Sequence, residues 1–193
     1  MTFVLGLAGS PRRGGNTDLL LDAALEGARE AGAEVRKVSV GELTVRPCTA
    51  CGRCADGVRC IIDDDMTGIY ELIDRADVIL VASPVHFDGV SAQMKALIDR
   101  CQLFWQRKYV LKRPGKQRVG AFLSAAARIR TDFTCPEATV RAFLLTVNAR
   151  PVRTLAYAGF EEAGSIVDHP SALCDARDLG RELIEATIGR NVH

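Results

Sequence analysis

Two hydrophobic periods alternate along this chain, and that alternation restricts its fold more than any other feature. Thr2–Ala8, Glu34–Val40, Asp77–Ser83, Val119–Ser124 and Pro151–Ala158 are short runs with the length and apolar content of strands. Between them the apolar residues return every three or four positions. Thr17–Ala31 places Leu21, Ala24, Leu25 and Ala28 on one face and Asp18, Asp22, Glu26 and Glu30 on the other, and Gly32 ends it. Met66–Arg75 is a second helix, preceded by Asp63, Asp64 and Asp65, whose carboxylates suit its amino end. Ser91–Trp105 is a third, with Met94, Leu97, Ile98, Cys101 and Phe104 at core spacing. Pro136 stands where a first helical residue belongs, ahead of the stripe Val140, Phe143, Leu144 and Val147; Ser171–Ile188 forms the last helix.

Strands separated by helices throughout imply a parallel sheet covered on both faces. Five of each predict an α/β, flavodoxin-like, doubly wound five-stranded parallel sheet of order 2-1-3-4-5, as one domain over residues 1–193. A chain of this size buries roughly 70% of its unfolded surface, so its core needs no covalent staples. Ligands of such sheets sit beyond the carboxyl ends of the strands, which directs attention to the loops after strands one, three and four.

Charge excludes some functions. With 25 Lys and Arg against 24 Asp and Glu the net charge is +1, without the basic excess of a nucleic-acid binder. The longest apolar runs, such as Val78–Ala82, fall far short of the ~20 residues of a membrane span. The amino end shows no secretory pattern, so a cytoplasmic protein is expected.

The first loop, Gly9-Ser-Pro-Arg-Arg-Gly-Gly-Asn-Thr17, leads directly into a helix. Glycines let the backbone approach closely, and a helix amino end attracts an anion. Ser10, Asn16 and Thr17 add donors, and Arg12 adds a charge. Gly9 and Gly14 have the spacing of the NTPase loop, yet Gly15 and Asn16 replace its Lys and Ser/Thr. The Gly-x-Gly-x-x-Gly dinucleotide pattern is also missing. What remains is a cradle for a single terminal phosphate.

After strand three runs Ser83-Pro-Val-His-Phe-Asp-Gly-Val-Ser91, followed by AQMKALIDR. Together with GSPRRGGNT this segment resembles the FMN reductase family of flavodoxin-like proteins, from Thr2 to about Trp105. The resemblance implies that Ser10, Arg12, Gly15, Asn16 and Thr17 bind the FMN phosphate. It implies also that Pro84, Val85, His86, Phe87 and Gly89 border the flavin ring. His86 stands where the family more often has Tyr, which makes it an aromatic stand-in. Ser124 and Ala125 begin a third loop in which relatives often carry a Gly pair, and a contact with the cofactor edge is expected there. Arg128 and Arg130 suit either the 2′-phosphate of NADPH or plain solvent.

Seven cysteines remain, an odd number that argues against a disulfide framework. Cys48, Cys51, Cys54 and Cys60 form C-x2-C-x2-C-x5-C within residues 48–60. The opening repeat matches that of bacterial ferredoxins, and no second set of four exists to share a cluster with it. Zinc also takes four thiolates, though from two separated pairs more often than from one run. Free thiols are the third reading. An FMN reductase-like chain with this motif resembles the iron–sulfur flavoproteins, which implies that the four cysteines hold a [4Fe–4S] cluster. It implies further a homodimer or homotetramer, a ferredoxin donor and a small-molecule acceptor. The expected function is an FMN-dependent oxidoreductase passing electrons from the cluster to FMN. A cluster-free reductase using NAD(P)H as co-substrate is the alternative, and a non-enzymatic carrier or zinc-bearing module is the third. No catalytic acid–base pair or nucleophile is evident. Cys101 and Cys174 are expected as buried filler and Cys135 in a loop.

Overall fold

The computed structural model describes residues 1–188. Its five strands are β1 (Phe3–Ala8), β2 (Glu34–Ser39), β3 (Val78–Pro84), β4 (Arg118–Ala126) and β5 (Ala149–Ala158), ordered 2-1-3-4-5. Every pairing is parallel, as the flavodoxin-like expectation requires. Helices α1 (Asn16–Glu30) and α6 (Ala172–Ile188) cover one face of the sheet. The other is covered by α2 (Met66–Arg75), α3 (Ala92–Arg100), a short α4 (Gln102–Trp105) and α5 (Thr134–Thr146).

The two-residue strand period divides the core into two layers. Phe3, Leu5, Leu7, Ile79, Val81 and Phe122 face α2, α3 and α5, while Val4, Ala8, Leu80, Ala82 and Leu123 face α1 and α6. All nine residues of β4 are buried, so apart from Arg118 and Ser124 its sequence shows no polar alternation. On the α1–α6 side the helices touch backbone to backbone. A Cβ at Gly27 would lie 1.9 Å from Arg177 O, and one at Gly180 would lie 2.0 Å from Ala24 O. Only glycine permits that approach, and α1 carries the phosphate-type loop at its amino end.

Three elements differ from the periodicity. The helix expected over Ser91–Trp105 breaks at Cys101, whose N–H bonds Ile98 O at 3.0 Å; α4 follows, and a π-helical turn carries the chain on to Val110. The apolar spacing crosses that break undisturbed, because Leu103 and Phe104 still reach the core. Helix α5 begins at Thr134, which puts Pro136 third and exposed Cys135 inside the first turn. A proline is tolerated there because first-turn N–H groups have no helical acceptor. Strand β5 begins two residues before Pro151, which sits at the register shift opposite Gly120 and Ala121, where a missing N–H does least harm. Cys101 is buried as expected, whereas Cys174 is exposed. No described helix is long and apolar enough to cross a membrane.

Candidate functional site

The loop after β1 is shaped by its own hydrogen bonds. Gly9 N–H bonds Ala82 O at 2.7 Å, and Ser91 Oγ donates to Gly9 O at 2.6 Å, so the first and second loops are joined at their roots. A Cβ at Gly9 would meet Met94 Cβ at 2.8 Å, which explains the residue. Ser10 Oγ accepts the Arg12 N–H and donates to Arg12 O, both at 3.1 Å. Gly14, at φ +64°, donates its N–H to Asp18 Oδ2 at 2.9 Å. Asp18 also pairs with Lys37 at 2.6 Å, and burial would lower the Lys37 ammonium were it not held above its ordinary range by Asp18 and Asp22. The first-turn N–H groups of Asn16 and Thr17, which no carbonyl of α1 can serve, are left at the mouth of the loop.

These residues line one cleft of about 360 Å3. Ser10, Arg12, Gly15, Asn16 and Thr17 come from the first loop, Pro84, Val85 and His86 from the second, and Ala125 from the end of β4. Arg12 forms no ion pair among the described residues. A free guanidinium beside a helix amino end is the chemistry a phosphate monoester needs. Ala125, Ala126 and Ala127 leave room for a flat group against the backbone.

Other predicted residues fall elsewhere. Phe87 and Gly89 do not line this cleft. His86 and Gly89 exchange two backbone hydrogen bonds, at 2.9 and 3.0 Å, around Phe87 and Asp88, both in the left-handed region at φ +50° and +59°. The tight turn leaves the Phe87 ring fully exposed (107%) at the edge of an adjoining hollow with Val85, Ala127 and Arg128. Ser124 is buried and donates to Ser83 O at 2.9 Å, so it ties β4 to β3 beneath the cleft. The Asn16 side chain is already committed. Its amide donates to Phe160 O at 3.0 Å and Glu162 O at 2.9 Å, and accepts the Ile166 N–H at 3.0 Å. It therefore holds the loop after β5, whose Phe160, Glu161 and Ala163 form the remaining wall. That wall has no local sequence signal. Only the position of the loop at a strand's carboxyl end announces it.

Cys48, Cys51, Cys54 and Cys60 line a second cavity, also of about 360 Å3, against Arg100, Leu103 and Gln106. Ala50, Gly52 and Gly57 take positive φ (+51°, +70° and +73°), which folds the loop back on itself around the thiols. Ala50 N–H points to Cys48 Sγ at 3.5 Å. The Arg53 backbone N–H lowers the Cys51 thiol, and burial raises that of Cys54, with the charges of the other three adding to the effect. The four are thus close enough to influence one another, although among the described residues no three metal-ligating side chains converge on the position of a single ion.

Two arginines fix this loop. Arg107 donates to Gly57 O at 2.6 Å and Val58 O at 3.2 Å, and pairs with Asp74 at 2.8 Å. Arg100 donates to Arg46 O (2.9 Å), Ile62 O (3.2 Å) and both Asp64 carboxylate oxygens (2.6 and 3.1 Å), so it closes the neck where the loop enters and leaves. The acidic triplet before α2 has a different part from the one its position suggests. Asp64 accepts the Met66 N–H at 3.2 Å but spends its charge on Arg100, and Asp65 accepts the Thr44 N–H at 2.7 Å. Burial alone would raise the Asp64 carboxyl. Arg100 and the Arg46 N–H outweigh it and hold the group below the usual carboxylate range.

A parallel sheet of order 2-1-3-4-5 with a phosphate-type loop after β1 and a cleft beside the ends of β3 and β4 defines a flavodoxin-like protein. The model of the NADPH-dependent FMN reductase family matches residues 2–162, and the chain belongs to that family. An iron–sulfur flavoprotein of Methanosarcina thermophila is 46% identical over 121 residues, 63% of this chain and 61% of its own. One from Archaeoglobus fulgidus is 42% identical over 96 residues, 50% of this chain and 44% of its own. The chain thus spans about half the length of the curated relatives it matches. Among solved structures, the NAD(P)H:quinone oxidoreductase of Methanothermobacter marburgensis superposes with a TM-score of 0.70 at 21% identity, covering 94% of this chain and 98% of that one.

Proposed function

We propose that this chain is an FMN-dependent oxidoreductase in which Cys48, Cys51, Cys54 and Cys60 hold a [4Fe–4S] cluster and the cleft between the first and second loops holds FMN. The observation that carries the reading is the meeting of four thiols from one short loop around one cavity, in a chain that also builds a phosphate-type cleft. When bound, the cluster supplies single electrons and the flavin accumulates two for a small acceptor. Arg12 and the N–H groups of Asn16 and Thr17 fix the phosphate end of the flavin. Val85, His86 and the wall held by Asn16 line the same cleft and would border the flavin there. Cys48, Cys54 and Cys60 are partly out of solvent, while Cys51 is exposed.

The family membership, together with relatives named iron–sulfur flavoprotein, supports this assignment over zinc. The proposal extends to a homodimer or homotetramer that covers exposed Trp105, Tyr109 and Val110. It extends also to a ferredoxin-type donor and to a reducing cytoplasm, which leaves the thiols free for metal.

Anaerobic purification followed by assay of iron, acid-labile sulfide and FMN per chain tests the reading. About four irons and four sulfides beside one FMN are expected, with the metal lost and the flavin kept in Cys54→Ala. FMN without iron or sulfide overturns the cluster and turns attention to NAD(P)H oxidation by quinones.

A further inference from the structure

The Arg100 side chain is wholly buried, at 0% exposure, and lines the cavity of the four cysteines. Both of its terminal nitrogens are engaged, on Asp64, Arg46 O and Ile62 O. Its Nε is not. Among the described residues it is the one buried side-chain nitrogen or oxygen with no hydrogen-bond partner. A donor shut away from water without an acceptor is expensive, and native proteins seldom keep one without a use for it. Asp64 already neutralises the charge, so the unmet requirement is an acceptor and not an anion.

Sulfur is what the neighbourhood offers. A cysteine thiol is a weak acceptor, but a metal-bound thiolate or an inorganic sulfide carries negative charge and accepts readily. Cys60 is among the groups that hold the Arg100 guanidinium above its ordinary range. We propose that Arg100 Nε–H is a donor kept for a sulfur of the cluster bound by Cys48, Cys51, Cys54 and Cys60, and that it makes this cluster easier to reduce. The inference rests on the cluster assignment above. One electron enters and no proton moves. The added negative charge strengthens the N–H···S bond, so the reduced form gains more than the oxidised one, and hydrogen bonds to sulfur are among the settings of such potentials.

Arg100→Lys keeps a cation beside Asp64 and removes Nε. Arg100→Met combined with Asp64→Asn removes the donor without stranding a buried charge, and serves if the lysine variant does not fold. Each is loaded anaerobically, checked for iron, sulfide and bound FMN, and titrated with dithionite while the reduced cluster is followed by electron paramagnetic resonance. The expected result is a full cluster whose one-electron reduction is about tenfold less favourable, ~59 mV more negative. Wild-type potentials in variants that retain the cluster overturn the inference and leave the cluster assignment standing. Folded, FMN-bound variants that load no iron also overturn it, since they make Arg100 a clamp on the loop and nothing more. Wild-type protein free of iron and sulfide overturns both.

Discussion

Asn16 Oδ1 accepts the Ile166 N–H at 3.0 Å across 150 positions of sequence, and the same side chain's amide holds Phe160 O and Glu162 O. One residue of the phosphate-type loop therefore builds the opposite wall of the cleft. Asn16→Ala removes three such bonds. At about 1 kcal/mol net for each, it is expected to destabilise the protein by ~2–3 kcal/mol. FMN affinity should fall with it, because the wall loosens. Flavin fluorescence titration and thermal melts together check this; unchanged values in both contradict the role.

Among the described residues Arg12 has no carboxylate partner, and it stands close to the amino end of α1. A charge-assisted bond to phosphate contributes about 1.5–3 kcal/mol, so Arg12→Ala should weaken FMN binding by roughly 10–100-fold. Riboflavin, which lacks the phosphate, should bind wild type and variant alike. Equal losses for both ligands would place Arg12 away from the phosphate.

The Asp64 carboxyl is held below its ordinary range. A depressed folded pKa means that its stabilisation is complete above the unfolded value near 3.9 and is lost as pH falls through the folded pKa. Asp64→Asn, which strands buried Arg100, should cost about 3–5 kcal/mol at neutral pH. The gap between wild-type and variant melts should stay constant from pH 7 to about pH 5 and narrow below pH 4. A gap independent of pH down to the acid limit would refute the ion pair's contribution.

Gly27 and Gly180 allow α1 and α6 to touch, with Cβ positions only 1.9 and 2.0 Å from facing carbonyl oxygens. Either Gly→Ala change must push the helices apart. Overpacking of this kind costs ~1–3 kcal/mol or more, which for a chain of this size lowers Tm by roughly 2–12 °C. Calorimetry checks it, and a variant melting with wild type would refute the close contact.

Legibility in the sequence followed the range of the interactions. Buried strands such as β3 and β4 announce themselves by their apolar runs Val78–Ala82 and Val119–Leu123, and sheet order follows from the βαβ pattern. The first loop's glycines and the cysteine spacing are equally local. What stayed hidden depends on distant partners. Asn16 reads as a phosphate donor until Ile166 is seen, and Asp64 reads as a helix cap until Arg100 arrives 36 positions later. The break at Cys101 left no trace, because apolar spacing continues through it. Phe87 points outward because its turn forces a left-handed backbone, a fact of geometry and not of residue type.

Helix α3 joins the two cavities. Ser91, its cap, holds Gly9 at the root of the phosphate-type loop, and Arg100, its last residue, closes the neck of the cysteine loop. Nine helical residues rise about 13 Å. A helix of that length neither stretches nor bends easily, so it serves as a ruler. The span between the root of the phosphate-type loop and the neck of the cysteine loop is therefore set by a single rigid rod within one chain.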